Sequence, residues 1–249
     1  MKAAERFVAS PGCLEQASEA ICRIAAAQEE ADVVLLLGEA SRRLGADAAI
    51  FCSWVRDEGV PVRFMLACDP RWYLEYERLV VANEDPWMVH AAQTSEPVCA
   101  SRLELSSQAE RRVLALARRY GFDSTFVVPS PGGRADARLG VLLLGSRTPD
   151  HFENSHSIAM KIMARSLSME MHEWCLAHAR KDFVSRVQLT PRDLDLLRRE
   201  HRGHGTKEIA RQLQVTVQSI DSRFQRLNAR LGVSSRKAAA SLAVTYGLI

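Results

Sequence analysis

Leu189-Thr190-Pro191-Arg192-Asp193-Leu194-Asp195-Leu196-Leu197, then Gly203, Lys207-Glu208-Ile209-Ala210 and Val215-Thr216, is the stretch that decides how this chain reads. Thr190 offers a hydroxyl N-cap, Pro191 takes the first helical position, where no N–H is needed, and Asp193 puts negative charge in the first turn. Gly203 and Gly205 end that helix. Thr206 is expected to cap a second helix through Leu213 and Thr216 a third running to about Leu231; Gly232 stops the third and Ser235 caps a fourth. Ile220, Phe224, Leu227 and Leu231 form the inner stripe of the third helix. Two short helices joined by a tight turn, the second rich in arginine, form a helix-turn-helix able to lay side chains in a DNA major groove.

Together with Ser219-Ile220, Leu227 and Leu231-Gly232-Val233-Ser234, this run resembles the LuxR-type DNA-binding domain from end to end, and the closing Tyr246-Gly247-Leu248-Ile249 is similar to chain ends in the quorum-sensing branch. The residues expected to meet double-stranded DNA are Lys207, Thr216, Gln218, Ser219, Asp221, Ser222, Arg223, Gln225 and Arg226. Lys207, Thr216, Ser219, Arg223 and Arg226 suit phosphates, which position without specifying. Gln225 can pair with adenine, and Asp221 can accept from cytosine N4. Where the family usually has Thr-Val-Lys-x-His, this chain has Ser219-Ile220-Asp221-Ser222-Arg223. An acid in place of a base at this face reads a base, pairs with a neighbouring arginine or weakens binding, and an operator unlike the usual family box is expected. Ala238, Ala239, Leu242 and Ala243 give the fourth helix a small-residue face, for packing on the third helix or for pairing two DNA-binding domains.

Charge separates along the chain. From Lys181 onward there are thirteen Lys and Arg against six Asp and Glu, a balance of +7, whereas the preceding residues carry −4 of the net +3. A basic tail beside an acidic body suits polyanion binding by the tail alone. The 249 residues allow two domains. No apolar run approaches a membrane span, and no basic segment leads into an apolar core as in a secretory signal, so a cytoplasmic, nucleoid-associated protein is expected. The six cysteines (13, 22, 52, 68, 99 and 175) form no C-x-x-C pair, which argues for reduced thiols and against a metal site or disulfide framework.

Ahead of the tail, two helical patterns (about Cys13–Ala26 and Glu29–Leu44) precede a strand at Ala48–Val55, a turn at Asp57-Glu58-Gly59 and a return strand to Ala67. Asp69-Pro70 and Asp85-Pro86 each open a helix, Ser106 or Ser107 caps another ended by Gly121, and strands at Thr125–Pro129 and Leu139–Gly145 flank a Gly132-Gly133 loop. A long helix follows from about Phe152 to Ala179. The fold expected is α+β: an N-terminal α/β/α sandwich with an antiparallel sheet over residues 1–180, a linker at 181–188, and a C-terminal all-α four-helix helix-turn-helix domain at 189–249.

The N-terminal half carries its own resemblance. Asp69-Pro70-Arg71-Trp72-Tyr73-Leu74-Glu75-Tyr76, Asp85-Pro86, Pro97, Gly121-Phe122 and Pro129 look like the autoinducer-binding domain of the LuxR family, whose ligands are N-acyl homoserine lactones. By that match Trp72 donates its indole N–H to the lactone carbonyl, Asp85 accepts the ligand amide N–H and Tyr76 bonds the acyl carbonyl. The chemistry is self-consistent, because a buried amide and two carbonyls need an acceptor and donors, and i, i+4 spacing sets Trp72 beside Tyr76. Trp87, Thr125 and Leu143 complete the expected ligand-contacting set. Ala100 stands where the family often has a second pocket tryptophan, Thr125 where glycine is usual, and Leu143 where a Ser or Thr is frequent, so the pocket is expected to be reshaped.

The resemblance implies a ligand-responsive transcriptional regulator, a homodimer on a pseudo-palindromic operator, with no cofactor beyond the small signal. Two alternatives stay open: an orphan regulator with a non-lactone ligand, and a heterodimerising anti-activator in which Asp221 is the defect. An enzyme is not expected, for Walker A, G-x-S-x-G and H-E-x-x-H motifs are absent, and His172-Glu173-Trp174-Cys175 lies within a long helix.

Overall fold

The computed structural model describes residues 12–55, 61–79, 85–130, 138–154 and 158–249. The expected turn at 57–59 and the loop at 132–133 lie outside them. The described chain divides into two compact units, the first closing at Cys175 and the second beginning at Leu176.

The first unit contains α1 (Cys13–Ile24), α2 (Glu30–Arg43), β1 (Ala48–Val55), β2 (Pro61–Ala67), α3 (Arg71–Leu79), α4 (Pro86–Gln93), β3 (Val98–Cys99), a short 3-10 turn (Ala100–Arg102), α5 (Gln108–Arg119), β4 (Ser124–Ser130), β5 (Arg138–Ser146), α6 (His151–Asn154) and the start of α7 (Ile158–Val187). The strands form one sheet in the order β2-β1-β5-β4-β3, with every pairing antiparallel. Side chains alternate across it with the period of two that a strand imposes. Ala49, Phe51, Met65, Phe126, Val128, Leu142 and Leu144 join one apolar cluster with α1, α2 and α7. Ile50, Cys52, Val127, Val141 and Leu143 join another with α3, α4 and α5. Helices on both faces explain why β4 and β5 are buried at every position. This is the expected α/β/α sandwich. The two-residue strand β3 is too short to leave a periodic signal in sequence.

Close packing leaves no room for a side chain on Gly140 of β5: a Cβ there would lie 2.8 Å from the Phe51 ring and 2.9 Å from His172 Nδ1. Gly140→Ala is expected to cost about 1–3 kcal/mol, read as a lower urea midpoint with an unchanged slope. The His172–Cys175 segment of α7 serves this same core. Trp174 donates its indole N–H to the Ala27 carbonyl at 2.8 Å, the Arg63 guanidinium lies 5.7 Å from its ring, and His172 and Cys175 are buried.

The second unit holds the end of α7, α8 (Pro191–His201), α9 (Thr206–Gln212), α10 (Val217–Leu231) and α11 (Arg236–Thr245). Thr190 caps α8 in a reciprocal capping box with Asp193, Thr216 caps α10 through Ser219 N–H, and Ser235 caps α11, each as its hydroxyl suggests. Gly232, at φ 69°, ends α10 in the left-handed conformation that glycine adopts without strain. One cap differs: Gly205 is the N-cap of α9, and Thr206 is its first residue, its hydroxyl engaged instead by Arg236. The segment expected as a linker, 181–188, is helical to Val187, because Phe183, Val184 and Val187 form an i, i+1, i+4 stripe packed into this unit's core. The small-residue face of α11 packs chiefly on α8, not α10, burying Ala239, Ala240 and Ala243.

Candidate ligand site and nucleic-acid interface

The ligand candidates gather on the α3–α4–α5 side of the sheet. Asp69 accepts the Arg71 backbone N–H at 3.0 Å and starts α3, and one turn of α3 sets Trp72 against Tyr76, their rings stacked at 4.7 Å. Phe64 of β2 supports both, at 6.0 Å and 5.6 Å. Asp85 caps α4, its Oδ1 accepting the Trp87 backbone N–H at 2.8 Å and that of Met88 at 3.4 Å, while Oδ2 accepts the Tyr76 hydroxyl at 2.7 Å. Only 1% of Asp85 is exposed. Burial raises its pKa above the ordinary carboxylate value, opposed in part by the bonds from Tyr76, Trp87 and Met88. The Tyr76 phenol is pushed up as well, by burial and then by the neighbouring Asp85.

Trp72, Tyr76 and Trp87 lie in one apolar cluster with Leu143 and Ala100. Thr125 is buried on the same face of β4 as Val127, and its hydroxyl donates to the Phe122 carbonyl at 3.3 Å. The structure thus brings all six expected ligand residues to one side of the sheet, where the Tyr76 hydroxyl donates to Asp85. Among the described residues two buried donors of this cluster have no acceptor, the indole Nε1 atoms of Trp72 and Trp87. Each unmade bond of this kind costs about 1–3 kcal/mol, so the cluster is complementary to a molecule bringing acceptors. Sequence reasoning passed over Cys52 and Phe64, which face each other across β1 and β2 beneath this group. Burial and then Asp85 raise the Cys52 thiol. Strand alternation alone would have put both residues on this face.

In the second unit, α10 buries Ile220, Phe224 and Leu227. Lys207, Thr216, Gln218, Ser222, Gln225 and Arg226 are exposed, and Ser219, Asp221 and Arg223 are half-buried. Asp221 is paired with Arg236, whose guanidinium also lies 4.6 Å from the Phe224 ring and donates to Thr206 Oγ1 at 2.6 Å. One arginine therefore ties α9, α10 and the start of α11 together. Of the fates open to Asp221, the geometry supplies the arginine.

Between α8 and α10 lies a cavity of about 660 Å³ walled by Thr190, Arg192, Asp193, Leu196, Arg223, Arg226, Ala229 and Arg230. Arg230 is committed, donating to Asp193 at 2.7 Å and to the Gln188 carbonyl at 3.0 Å. Burial acts to raise Asp193, but the Thr190 N–H and Arg230 outweigh it and hold the carboxyl below its usual value. This clamp therefore stabilises the unit above the ordinary carboxylate range and weakens as pH falls through it. Arg192, Arg223 and Arg226 have no acidic partner among the described residues, leaving three guanidinium groups free to meet an anion.

The comparisons agree with this division. Residues 29–173 match the family model of the autoinducer binding domain, and residues 187–243 that of bacterial regulatory proteins of the luxR family. Among solved structures, Escherichia coli SdiA superposes with a TM-score of 0.70 at 14% identity over 94% of this chain and 98% of its own. SdiA in complex with octanoyl-rac-glycerol gives 0.64 at 13% over 95% and 96%. CepR2 of Burkholderia cenocepacia, an N-acylhomoserine lactone dependent LuxR family transcription factor, gives 0.52 at 19% over 66% of this chain and 94% of its own. At such identities the likeness is one of fold. No curated protein sequence matches. Among the described residues no helix is long and apolar enough to cross a membrane. An autoinducer-binding domain followed by a luxR-family DNA-binding domain makes this chain a member of the LuxR-type quorum-sensing transcription regulators.

Proposed function

We propose that this regulator binds an N-acyl homoserine lactone around Asp85 and, as a homodimer, reads a pseudo-palindromic operator with α10. The observation that carries the ligand reading is the pair of buried, unpartnered indole N–H donors beside a buried carboxylate. Trp72 donates to the lactone carbonyl, Asp85 accepts the amide N–H on a remaining lone pair, and Thr125 and Leu143 line the acyl side. The ligand domain spans 1–180 and the DNA-binding domain 189–249, with the helical segment 181–188 that joins them packed into the second unit. Exposed Ile158, Ile162 and Met169 on α7 support self-association, which would set two recognition helices on half-sites about one helical turn apart.

Melting of the full chain with a panel of lactones tests the ligand reading. At a hundredfold excess over Kd, mass action is expected to raise Tm by about 5–10 °C; a panel from short to long acyl chains that shifts nothing refutes it. Octanoylglycerol belongs in the same panel, since SdiA has been captured with it and its hydroxyls also offer donors to Asp85.

The pairing of Asp221 with Arg236 supports direct DNA binding over the anti-activator reading, because the carboxylate meets its counter-charge within the domain. Asp221→Ala is then expected to leave operator base preference unchanged and to cost at most about 1 kcal/mol of stability. Binding-site selection with both proteins is the check, and a changed preference at one position would make Asp221 a base reader.

A further inference from the structure

We propose that the indole N–H of Trp87, rather than the hydroxyl of Tyr76, holds the acyl carbonyl of the bound lactone; this rests on the lactone reading above and assigns a role within it. The donors on this face of the sheet decide the matter. A phenol has one proton, and that of Tyr76 is spent on Asp85 Oδ2 at 2.7 Å. The Thr125 proton is spent on the Phe122 carbonyl, and Leu143 and Ala100 have no polar side-chain hydrogen to give. Among the described residues of this face the N–H and O–H donors left unspent are the indoles of Trp72 and Trp87, both buried without an acceptor; the Cys52 thiol is a weak donor only. An acyl homoserine lactone brings two carbonyls and one N–H, so with Asp85 taking the N–H the two indoles match the two carbonyls.

Their placement suits that division. Trp72 and Tyr76 rest on Phe64 of β2. Trp87 leans on Phe122 at 6.3 Å, and the Phe122 ring occupies the space over Gly145 of β5, where a Cβ would come within 2.4 Å of it. β2 and β5 are separated by β1 alone, and Gly145 lies four residues along β5 from Val141, the residue in register with Cys52 and Phe64, so the two aromatic groups stand well over about 10 Å apart on the sheet. A trans amide directs its N–H and C=O in opposite senses. With Asp85 on the N–H, the carbonyl faces away from Tyr76 and toward the β5 side, where Trp87 stands. The backbone N–H of Trp87 is itself held on Asp85 Oδ1 at 2.8 Å, so the helix cap that orients the acceptor also orients this donor.

Octanoyl homoserine lactone labelled with carbon-13 at either the acyl or the lactone carbonyl, bound to the full chain, tests this. The acyl resonance is expected to move downfield on binding, to return toward its free position in Trp87→Phe with Kd weakened roughly tenfold, and to stay shifted in Tyr76→Phe whatever the affinity. The lactone resonance should answer to Trp72→Phe instead. In the parent protein the Trp87 indole proton should itself move downfield on ligand addition, a readout that requires no variant to fold. An acyl resonance unmoved by Trp87→Phe, its return in Tyr76→Phe, or a Trp87 indole proton that ignores the ligand overturns the assignment and leaves lactone binding intact. Failure of the parent to bind any lactone overturns both.

Discussion

Asp85→Asn is expected to melt no lower than the parent and to lose its response to lactone. In the parent the carboxylate is buried and its pKa is raised by that burial. Between the ordinary carboxylate value and the raised one, the folded protein binds more protons than the unfolded chain. Stability is therefore greatest below that window and declines as pH rises through it. Asparagine removes the titration. Its Oδ1 can still accept the Trp87 N–H, and its amide can donate to the Tyr76 oxygen, so cap and phenol both keep a partner. The ligand's N–H, however, meets a donor where the parent offers an acceptor. Loss of a charge-assisted hydrogen bond of about 1.5–3 kcal/mol weakens binding by roughly 10- to 100-fold. Melting across pH, with and without lactone, separates the two effects: a flattened pH profile and an absent ligand shift are expected. Parent-like affinity in the variant would reduce Asp85 to a helix cap.

The other large effect concerns DNA. Arg223→Gln/Arg226→Gln should flatten the dependence of log K on log salt by roughly 1.8, since each phosphate contact contributes about 0.9. The loss should be similar for operator and unrelated duplexes, because phosphate contacts position without specifying. Arg230→Gln, from the same cavity wall, should behave differently. Its guanidinium is already engaged by Asp193 and the Gln188 carbonyl, so the variant should lower Tm and change the salt slope less. Fluorescence anisotropy across a salt series reads all three proteins. An unchanged slope in the double variant would place the phosphate path elsewhere on the domain.

Local chemistry was the legible part of this chain. Thr190 with Asp193, Thr216, Ser235 and Gly232 mark helix ends through bonds within a few residues, and the structure has them where the sequence puts them. The apolar run of β1 and the Asp-Pro starts of α3 and α4 are local in the same sense. Contacts between residues distant in sequence were not legible. The pairing of Asp221 with Arg236 spans fifteen positions, and nothing in either neighbourhood selects it over other arginines. The Tyr76 proton goes to a carboxylate nine residues on, a choice set by how α3 and α4 face each other. Thr206 lost its cap role to Gly205 because Arg236 competes for its hydroxyl. The extension of α7 through Val187 shows in an apolar stripe that its charged neighbours Lys181, Asp182 and Arg186 obscure.

The mass of the intact chain under non-denaturing conditions, with octanoyl homoserine lactone in excess, tests the central claim most directly. One lactone retained per chain in the parent, and none at the same concentration in Asp85→Asn, is the result expected. Equal retention by the two proteins, or none by the parent with any lactone from short to long acyl chain, would contradict a ligand site built around Asp85.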